Sequence, residues 1–322
     1  MADILLQLKE LRAYFFTAEG VTRAVDGISY DLREAEIMAL VGESGSGKSV
    51  SALSVLRLLR HPGRIIGGQA FFHQKDLFQL SEKDMRNIRG RHIAMVFQEP
   101  MTSLNPVMRI GEQIAEAPGI HLKMGRKAGI RHALQLLQSV GIHDAEERYR
   151  DYPHQFSGGM RQRVMIAMAL SCNPEIMIAD EPTTALDVTV QAQILDMMTI
   201  LARETHTAII LITHNLGIVA RYADRVNVMY AGKIVESGSG DDILARPQHP
   251  YTQSLLQCVP RIDKIGEQLS AISGKSPNLG DKYSGCPFLP RCPESIAECS
   301  KEDPPLESVS DGHRCACFGA RK

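Results

Sequence analysis

The sequence predicts an α/β protein built around a phosphate-binding loop, and three observations lead to this fold class. Residues 37–41 are five consecutive apolar residues, as in a buried strand. The next eight residues fit the pattern G-x-x-x-x-G-K-[ST]. Apolar residues then recur at helical spacing from about Ser49. The loop comprises Gly42, Glu43, Ser44, Gly45, Ser46, Gly47, Lys48 and Ser49.

The chemistry of this loop follows from its residue types. Glycines let the backbone wrap around a phosphate without clashes from Cβ atoms. The N–H groups of the loop and the positive end of the helix dipole attract the anion. Lys48 can reach the β- and γ-phosphates of a nucleotide, and Ser49 can hold Mg²⁺. A glycine-rich turn with a surface lysine is the alternative, but the flanking strand and helix favour the phosphate loop.

Composition limits the other classes of function. The chain has 322 residues, enough for about two domains, and its net charge of −1 gives no basic field for nucleic acid. Its longest apolar runs, such as 164–172, are shorter than the ~18 residues that a membrane span needs. The first residues lack the basic segment of a signal peptide. We therefore expect a cytoplasmic protein that docks on a membrane protein without crossing the bilayer.

Residues 4–32 alternate loosely in hydropathy, which predicts antiparallel strands with a turn near Glu19 and Gly20. The aromatic cluster Tyr14-Phe15-Phe16 lies here, upstream of the loop. An adenine ring needs a flat apolar face, and Phe15 is the candidate; packing in the core of the strands is equally open for each of the three.

Two acids end a predicted strand at residues 176–181. Asp180 and Glu181 are adjacent, and two carboxylates at one strand end are costly without a cation or polarised water nearby. Asp180 is expected to hold Mg²⁺ through water, and Glu181 to accept the proton of an attacking water. A surface acidic turn is the alternative.

Two further strands each end in one polar residue. Gln98 follows the strand predicted at 94–97, and His214 follows the apolar run 208–213. Strand ends are where ligands bind in α/β sheets. Gln98 can bind Mg²⁺ or orient a water, and His214 can contact the γ-phosphate.

Residues 100–172 carry apolar residues at helical spacing and predict a helical subdomain. Within it, Ser157, Gly158 and Gly159 start a helix whose free N–H groups form a second anion site. A serine-capped helix without a ligand is the alternative.

These motifs together resemble the ATP-binding subunit of an ABC transporter. The resemblance narrows to the peptide/nickel importer ATPases, of the dipeptide and oligopeptide permease type, through the segments 98–106, 183–193 and 249–252. It implies an ABC ATPase core, with a RecA-like sheet, an antiparallel β subdomain and a helical subdomain at about 100–172. The core would occupy residues 1–240, and a small Cys-rich domain residues 241–322.

The family implies a composite ATP site on two subunits. ATP on one subunit would be closed over by Ser157, Gly158 and Gly159 of the other, with Asp187 across the interface. The partners implied are a paralogous ATPase subunit in a heterodimer, two transmembrane permease subunits and, indirectly, an external solute-binding protein. The chain would lie at the cytoplasmic face of the inner membrane. Ala35 departs from the glycine that the family often has there.

Five of seven cysteines lie in the last 37 residues. Cys286, Cys292, Cys299 and Cys317 can ligate a [4Fe–4S] cluster or Zn²⁺, and spacing alone does not choose between cluster, zinc and no metal. The resemblance favours the cluster, with Cys315 as the rival fourth ligand. Arg291 would offset the negative charge of the cluster.

The expected function is ATP hydrolysis that drives import of di- or oligopeptides, or of a related solute such as a nickel chelate. A soluble ABC ATPase acting on ribosomes or DNA is the alternative, but such proteins usually carry two cassettes or a long coiled-coil insertion. A non-hydrolysing regulatory subunit is a third reading, against which Glu181 argues. The substrate itself is not encoded in this chain.

Overall fold

A computed structural model describes residues 3–184, 186–258, 272–275, 277, 279–280 and 284–321. Ala185, part of the segment 183–193 that marks the narrower family, lies outside the described residues. The chain divides into two compact units. The first comprises Met1–Asp3, Arg33–Glu36 and Gln79–Leu211, and we call it the signature unit because it contains Ser157, Gly158 and Gly159. The second comprises Ile4–Leu32, Ile37–Phe78 and Ile212–Lys322, and we call it the P-loop unit because it contains the phosphate-binding loop at residues 42–49.

The described residues form strands and helices that follow the predicted order. The strands are β1 (Ile4–Thr17), β2 (Gly20–Arg33), β3 (Ile37–Val41), β4 (Gly63–Phe72), β5 (Lys75–Asp76), β6 (Ile93–Val96), β7 (Ile176–Asp180), β8 (Ala208–Thr213), β9 (Arg225–Tyr230), β10 (Lys233–Ser239), β11 (Glu307–Ser310) and β12 (His313–Cys315). The helices are α1 (Lys48–Val55), α2 (Glu82–Ile88), α3 (Pro100–Ser103), α4 (Ile110–His121), α5 (Arg126–Ser139), α6 (Ala145–Arg148), α7 (Gly158–Leu170), α8 (Val188–Glu204), α9 (Leu216–Tyr222), α10 (Gly240–Ala245) and α11 (Pro250–Gln257).

The P-loop unit contains an antiparallel sheet of order β2-β1-β4-β5. β1 and β2 are joined by a tight turn at residues 18–19, where the sequence predicted one. The pairing of β1 with β4 runs from Leu6 opposite Phe72 to Phe15 opposite Gly63. The antiparallel β part of the predicted fold is therefore present.

The P-loop unit also contains strands of order β11-β12-β10-β9-β3. β3 and β9 pair in parallel, from Met38 opposite Arg225 to Val41 opposite Val228. β9 and β10 form the predicted hairpin about residues 231–232. All of β3 is buried, which explains its continuous apolar run, since a parallel strand covered on both faces has no solvent side.

The core of this unit joins the sheet to the C-terminal region, by which we mean the described residues from Gly240 onward. Val41, Val228 and Tyr230 from the strands pack with Tyr251 of α11 and with Phe288. Each of these five side chains is at most 1% exposed. The C-terminal region is thus fixed to the strands that lead into and flank the glycine loop.

In the signature unit, β6 and β7 pair in parallel, and β7 neighbours β8. Helices α3 to α7 occupy the segment predicted to be helical. The second half of α7 is mostly buried, with Val164, Ile166 and Ala167 at 0% exposure. None of the helices in the described part of the chain is both long and apolar enough to cross a membrane.

Ala35 occupies a turn conformation that favours glycine. Its φ is +54°, in the left-handed region, within a turn in which Glu36 N–H donates to the carbonyl of Arg33 over 3.3 Å. The departure from glycine at this position therefore places an alanine in a strained conformation.

Candidate nucleotide-binding site

The loop follows β3, and two of its glycines occupy positions where a residue with a side chain would clash. Gly42 has a φ of +149° and Gly47 a φ of +104°, values that L residues rarely adopt. A Cβ on Gly42 would lie 2.2 Å from the carbonyl oxygen of Met229, and one on Gly47 would lie 2.1 Å from that of Ala24. The loop therefore packs directly against neighbouring backbone, and strand, loop and helix follow each other as predicted.

Lys48 is held over the loop by the loop's own oxygens. Its Nζ donates to the carbonyls of Gly42 and Glu43, each over 2.8 Å, and to Ser46 Oγ over 3.3 Å. The side chain is 5% exposed. Ser49 follows in the first turn of α1 and is half-buried. An ammonium group and the N-terminus of a helix are thus both present at one loop, as phosphate binding requires.

Residues of the C-terminal region contact the second residue of the loop. Arg291 donates to both carboxylate oxygens of Glu43, over 2.7 and 3.0 Å, and Glu43 N–H donates to the Tyr251 hydroxyl over 2.8 Å. The hydrogen bond to Glu43 raises the pKa of Arg291, and burial raises the pKa of Tyr251. Sequence reasoning missed this contact, because 248 residues separate Arg291 from Glu43.

The three aromatic residues of β1 have different surroundings. Tyr14 donates to Asp26 Oδ1 over 2.6 Å, and burial together with this bond raises its pKa to about 12. Phe15 is half-buried against Gly63, and Phe16 is 42% exposed. Phe15 and Phe16 therefore both keep some exposed ring surface.

The acidic strand end of the signature unit holds a strained glutamate. Asp180 ends β7 and is 6% exposed. Glu181 follows with a φ of +45°, which is uncommon for a residue other than glycine. Gln98 donates to Glu181 Oε2 over 3.2 Å, and Thr184 donates to the same oxygen over 2.9 Å. The structure thus brings Gln98 and Glu181 together, and it adds Thr184, which the sequence did not single out.

Two helices of the same unit begin at Ser157, which opens the predicted second anion site, and at Asp187, which is predicted to lie at the subunit interface. Ser157 caps α7 by accepting from Met160 N–H over 3.3 Å, and Gly158 and Gly159 form the first helical residues. Asp187 caps α8 by accepting from Val190 N–H over 2.9 Å. Ser157 and Asp187 are both exposed, so each caps a helix while its remaining surface faces solvent.

His214 belongs to the P-loop unit and directly follows β8. It is exposed, whereas the strand before it is entirely buried. The turn after it is fixed by Asn215 N–H, which donates to Thr213 Oγ1 over 3.0 Å. His214 is therefore a solvent-facing imidazole at a strand end, as the sequence predicted.

The glycine loop with Lys48 in one unit and the residues around Glu181 in the other define the class of protein: an ATP-binding cassette. Residues 25–184 match the family described as "ABC transporter". Two solved structures share the fold: the bacterial ABC transporter cassette MJ0796, 25% identical with a TM-score of 0.66, and cbiO1 from Clostridium perfringens, 26% identical with a TM-score of 0.65. They cover 73% and 76% of this chain, which covers 98% and 92% of theirs.

Full-length relatives narrow the class. The dipeptide transport ATP-binding protein DppD of Bacillus subtilis is 50% identical over 97% of this chain and 94% of its own length. The oligopeptide transport ATP-binding protein OppD of Salmonella typhimurium is 48% identical over 98% and 94%. Residues 235–299 match the family "Oligopeptide/dipeptide transporter, C-terminal region". The chain belongs to the ABC transporter ATPases of the oligopeptide/dipeptide type.

The predicted iron–sulfur cluster is wrong. The described residues include Cys286, Cys292, Cys299 and Cys317, yet among them no group of three or more His, Cys, Asp or Glu side chains is placed to hold a metal ion. Cys286 and Cys292 pack against the core around Phe288. Burial raises the pKa of Cys286 to about 11 and also raises that of Cys292. Both are therefore partly buried side chains of this core.

Arg291 was expected to offset the charge of this cluster and Cys315 was the rival fourth ligand, and both have other surroundings. Arg291 donates to Glu43 rather than facing sulfur. Cys315 pairs with Glu236 in the β10–β12 ladder, is 2% exposed, and burial raises its pKa. Crowding of cysteines in the sequence thus reflects packing of the C-terminal region.

Proposed function

We propose that this chain hydrolyses ATP to energise import of di- or oligopeptides through a membrane permease. The observation that carries the proposal is the glycine loop, whose Cβ-excluding contacts shape the backbone around Lys48. The relatives' names supply the substrate class, because DppD and OppD are described as dipeptide and oligopeptide transport proteins. A related solute such as a nickel chelate is the alternative substrate for the same function.

The loop residues fit a triphosphate. The residues from Gly42 to Ser49 supply N–H groups and a lysine, and Phe15 offers a partly exposed ring for adenine. The donor set also fits Mg²⁺, which prefers carboxylate, amide and hydroxyl oxygens. Ser49, Gln98 and Asp180 would hold it, and the bound ion would offset negative charge on the phosphates.

Hydrolysis needs a base for the attacking water. We assign Glu181, whose carboxylate would accept the proton as the water oxygen bonds to the γ-phosphorus and ADP leaves. The hydrogen bonds from Gln98 and Thr184 to the same Glu181 oxygen support this role, because they fix the carboxylate. His214 would hold the γ-phosphate through its ring.

The proposed partners follow from surfaces within each unit and from the family. Ser157, Gly158 and Gly159 would contact ATP bound to a paralogous ATPase subunit, with Asp187 at the same heterodimer interface. Met101 is 59% exposed and Val107 83%, whereas Leu104 is buried, so the segment after Gln98 offers two exposed apolar side chains to a permease helix. We place the chain at the cytoplasmic face of the membrane, with an external binding protein delivering the peptide.

The test is reconstitution of the chain with its permease and partner ATPase in liposomes. ATP hydrolysis should rise when a peptide-loaded binding protein is added on the opposite side, and labelled peptide should accumulate in step with phosphate release. Hydrolysis that responds to ribosomes or DNA and not to the loaded binding protein would favour the soluble ATPase alternative.

A further inference from the structure

The side chain of Glu43 is hydrogen-bonded to Arg291, which lies 248 positions later in the chain. Arg291 Nη1 and Nη2 each donate to one carboxylate oxygen, over 2.7 and 3.0 Å. The Arg291 side chain is only 4% exposed, and that of Glu43 is 25% exposed. Arg291 is itself fixed, because its Nε donates to the carbonyl of Ser273 over 2.9 Å and its guanidinium lies 5.8 Å from the Tyr230 ring centroid.

The backbone of Glu43 is held from the same side. Its N–H donates to the hydroxyl of Tyr251, a fully buried residue of α11. The Tyr251 ring contacts the rings of Tyr230 and Phe288, with centroids 4.5 and 5.4 Å away. An aromatic cluster of three rings therefore fixes the hydroxyl that accepts the Glu43 N–H.

These contacts reach Lys48 through one residue. The carbonyl of Glu43 accepts a hydrogen bond from Lys48 Nζ over 2.8 Å, so Glu43 lies between Lys48 and the C-terminal region. Three polar groups of Glu43, its N–H, its carbonyl and its carboxylate, are all engaged. A shift of Glu43 would displace both the loop backbone and the ammonium group.

We propose that Arg291 and Tyr251 are positioning residues of the nucleotide site. They hold Glu43 so that the loop backbone and Lys48 keep the arrangement that binds phosphate. The C-terminal region thereby contributes to nucleotide binding. The inference rests on the proposed function for the identity of the ligand, MgATP. Its rival is a purely structural role, in which Arg291 only ties the C-terminal region to the sheet.

The chemistry of the pair makes the two roles separable. A planar guanidinium matches a carboxylate with two parallel hydrogen bonds, and a lysine cannot reproduce that fork. A buried charge left without its partner is strongly unfavourable, so each single loss disturbs the loop, while loss of both charges leaves no unpaired ion. The two substitutions should therefore be non-additive in their effect on nucleotide binding.

The experiment measures KM for MgATP and kcat in the assembled transporter, and Kd for a fluorescent ATP analogue with Mg²⁺ on the full chain. Glu43→Gln and Arg291→Gln should each raise KM and Kd about tenfold, with kcat within about twofold of wild type. The double variant should also show about a tenfold rise rather than a hundredfold one. Arg291→Lys should recover only part of the loss. Arg314→Gln is the matched control, and it should leave both constants unchanged.

Tyr251→Phe guards against misfolding, because it keeps the ring in the aromatic cluster and removes only the acceptor oxygen. It should raise KM about threefold and lower the melting temperature by only a few degrees, because a single hydrogen bond is lost. Unchanged KM in all these variants, or a double variant whose effect is the product of the singles, would overturn the positioning role. A wild-type chain that binds no nucleotide would instead overturn the proposed function, and the inference with it.

Discussion

Gly47 and Gly45 provide a matched pair for testing how the loop is shaped. Both have positive φ, +104° and +81°, so an alanine at either position adopts an unfavourable backbone conformation costing about 1–2 kcal/mol. They differ in space: a Cβ on Gly47 would lie 2.1 Å from the Ala24 carbonyl oxygen, whereas one on Gly45 meets nothing within 4 Å.

The clash sets the difference between the two variants. The Ala24 carbonyl belongs to β2 and must move by about 1 Å to admit a methyl group, and overpacking of this kind costs about 1–3 kcal/mol. We expect Gly47→Ala to lower the free energy of unfolding by about 2–5 kcal/mol and Gly45→Ala by about 1–2 kcal/mol. Urea denaturation of the full chain, followed by circular dichroism, measures both. Equal losses in the two variants would refute the packing explanation of Gly47.

Three other predictions concern single side chains. Burial lowers the pKa of His249 to about 4. The free energy of unfolding should therefore fall by about 3 kcal/mol as the pH drops from 6.5 to 4, because in this range the unfolded chain binds a proton that the folded chain does not. In urea denaturation, His249→Gln should flatten this pH dependence, whereas substitution of the exposed His143 by Gln should not. Lys48→Ala should abolish nucleotide binding in the assembled complex, measured with a fluorescent ATP analogue; retained affinity would contradict the assignment of the loop. Thr184→Val should lower kcat about threefold with unchanged KM, because Glu181 loses one hydrogen bond; an altered KM alone would argue against that role.

Local patterns predicted the part of the fold that surrounds the glycine loop. The buried run 37–41 and the hairpin about 231–232 are both present, because continuous apolar residues and a turn residue pair are signals contained within a few positions. Helix α1 is shorter than its apolar pattern, which continues to Leu59. It ends at Val55, and Arg57 adopts a φ of +52°, which no helix tolerates.

The C-terminal region was not predictable in the same way. Its apolar periodicity fades, yet β12 pairs with β10, where Glu236 lies opposite Cys315. Buried polar contacts stabilise this pairing: His313 Nε2 lies 2.8 Å from Glu236 Oε1, and both side chains are at most 3% exposed. Contacts between residues 77 positions apart leave no local signature, and the same is true of the Arg291 contact to the loop.

The cysteine prediction failed for a related reason. Spacing along a chain shows which thiols are near in sequence, but metal binding depends on where the sulfur atoms point and on whether they can ionise. Among the described residues no group of three or more possible ligands is placed to hold a metal ion, and burial raises the pKa of Cys286 and of Cys315. The proximity of Gln98 and Glu181 could be anticipated because both follow strand ends, whose position in a sheet is fixed by the fold, and their catalytic roles stay predictions.

Single-turnover ATP hydrolysis by the assembled transporter tests the proposed role of Glu181 as the base that accepts the proton of the attacking water. Glu181→Gln should bind MgATP with nearly wild-type affinity and release phosphate at least a hundredfold more slowly, since an amide cannot take up the proton of water. The exposed Glu204→Gln should turn over normally. Undiminished phosphate release by Glu181→Gln would show that Glu181 is not the base.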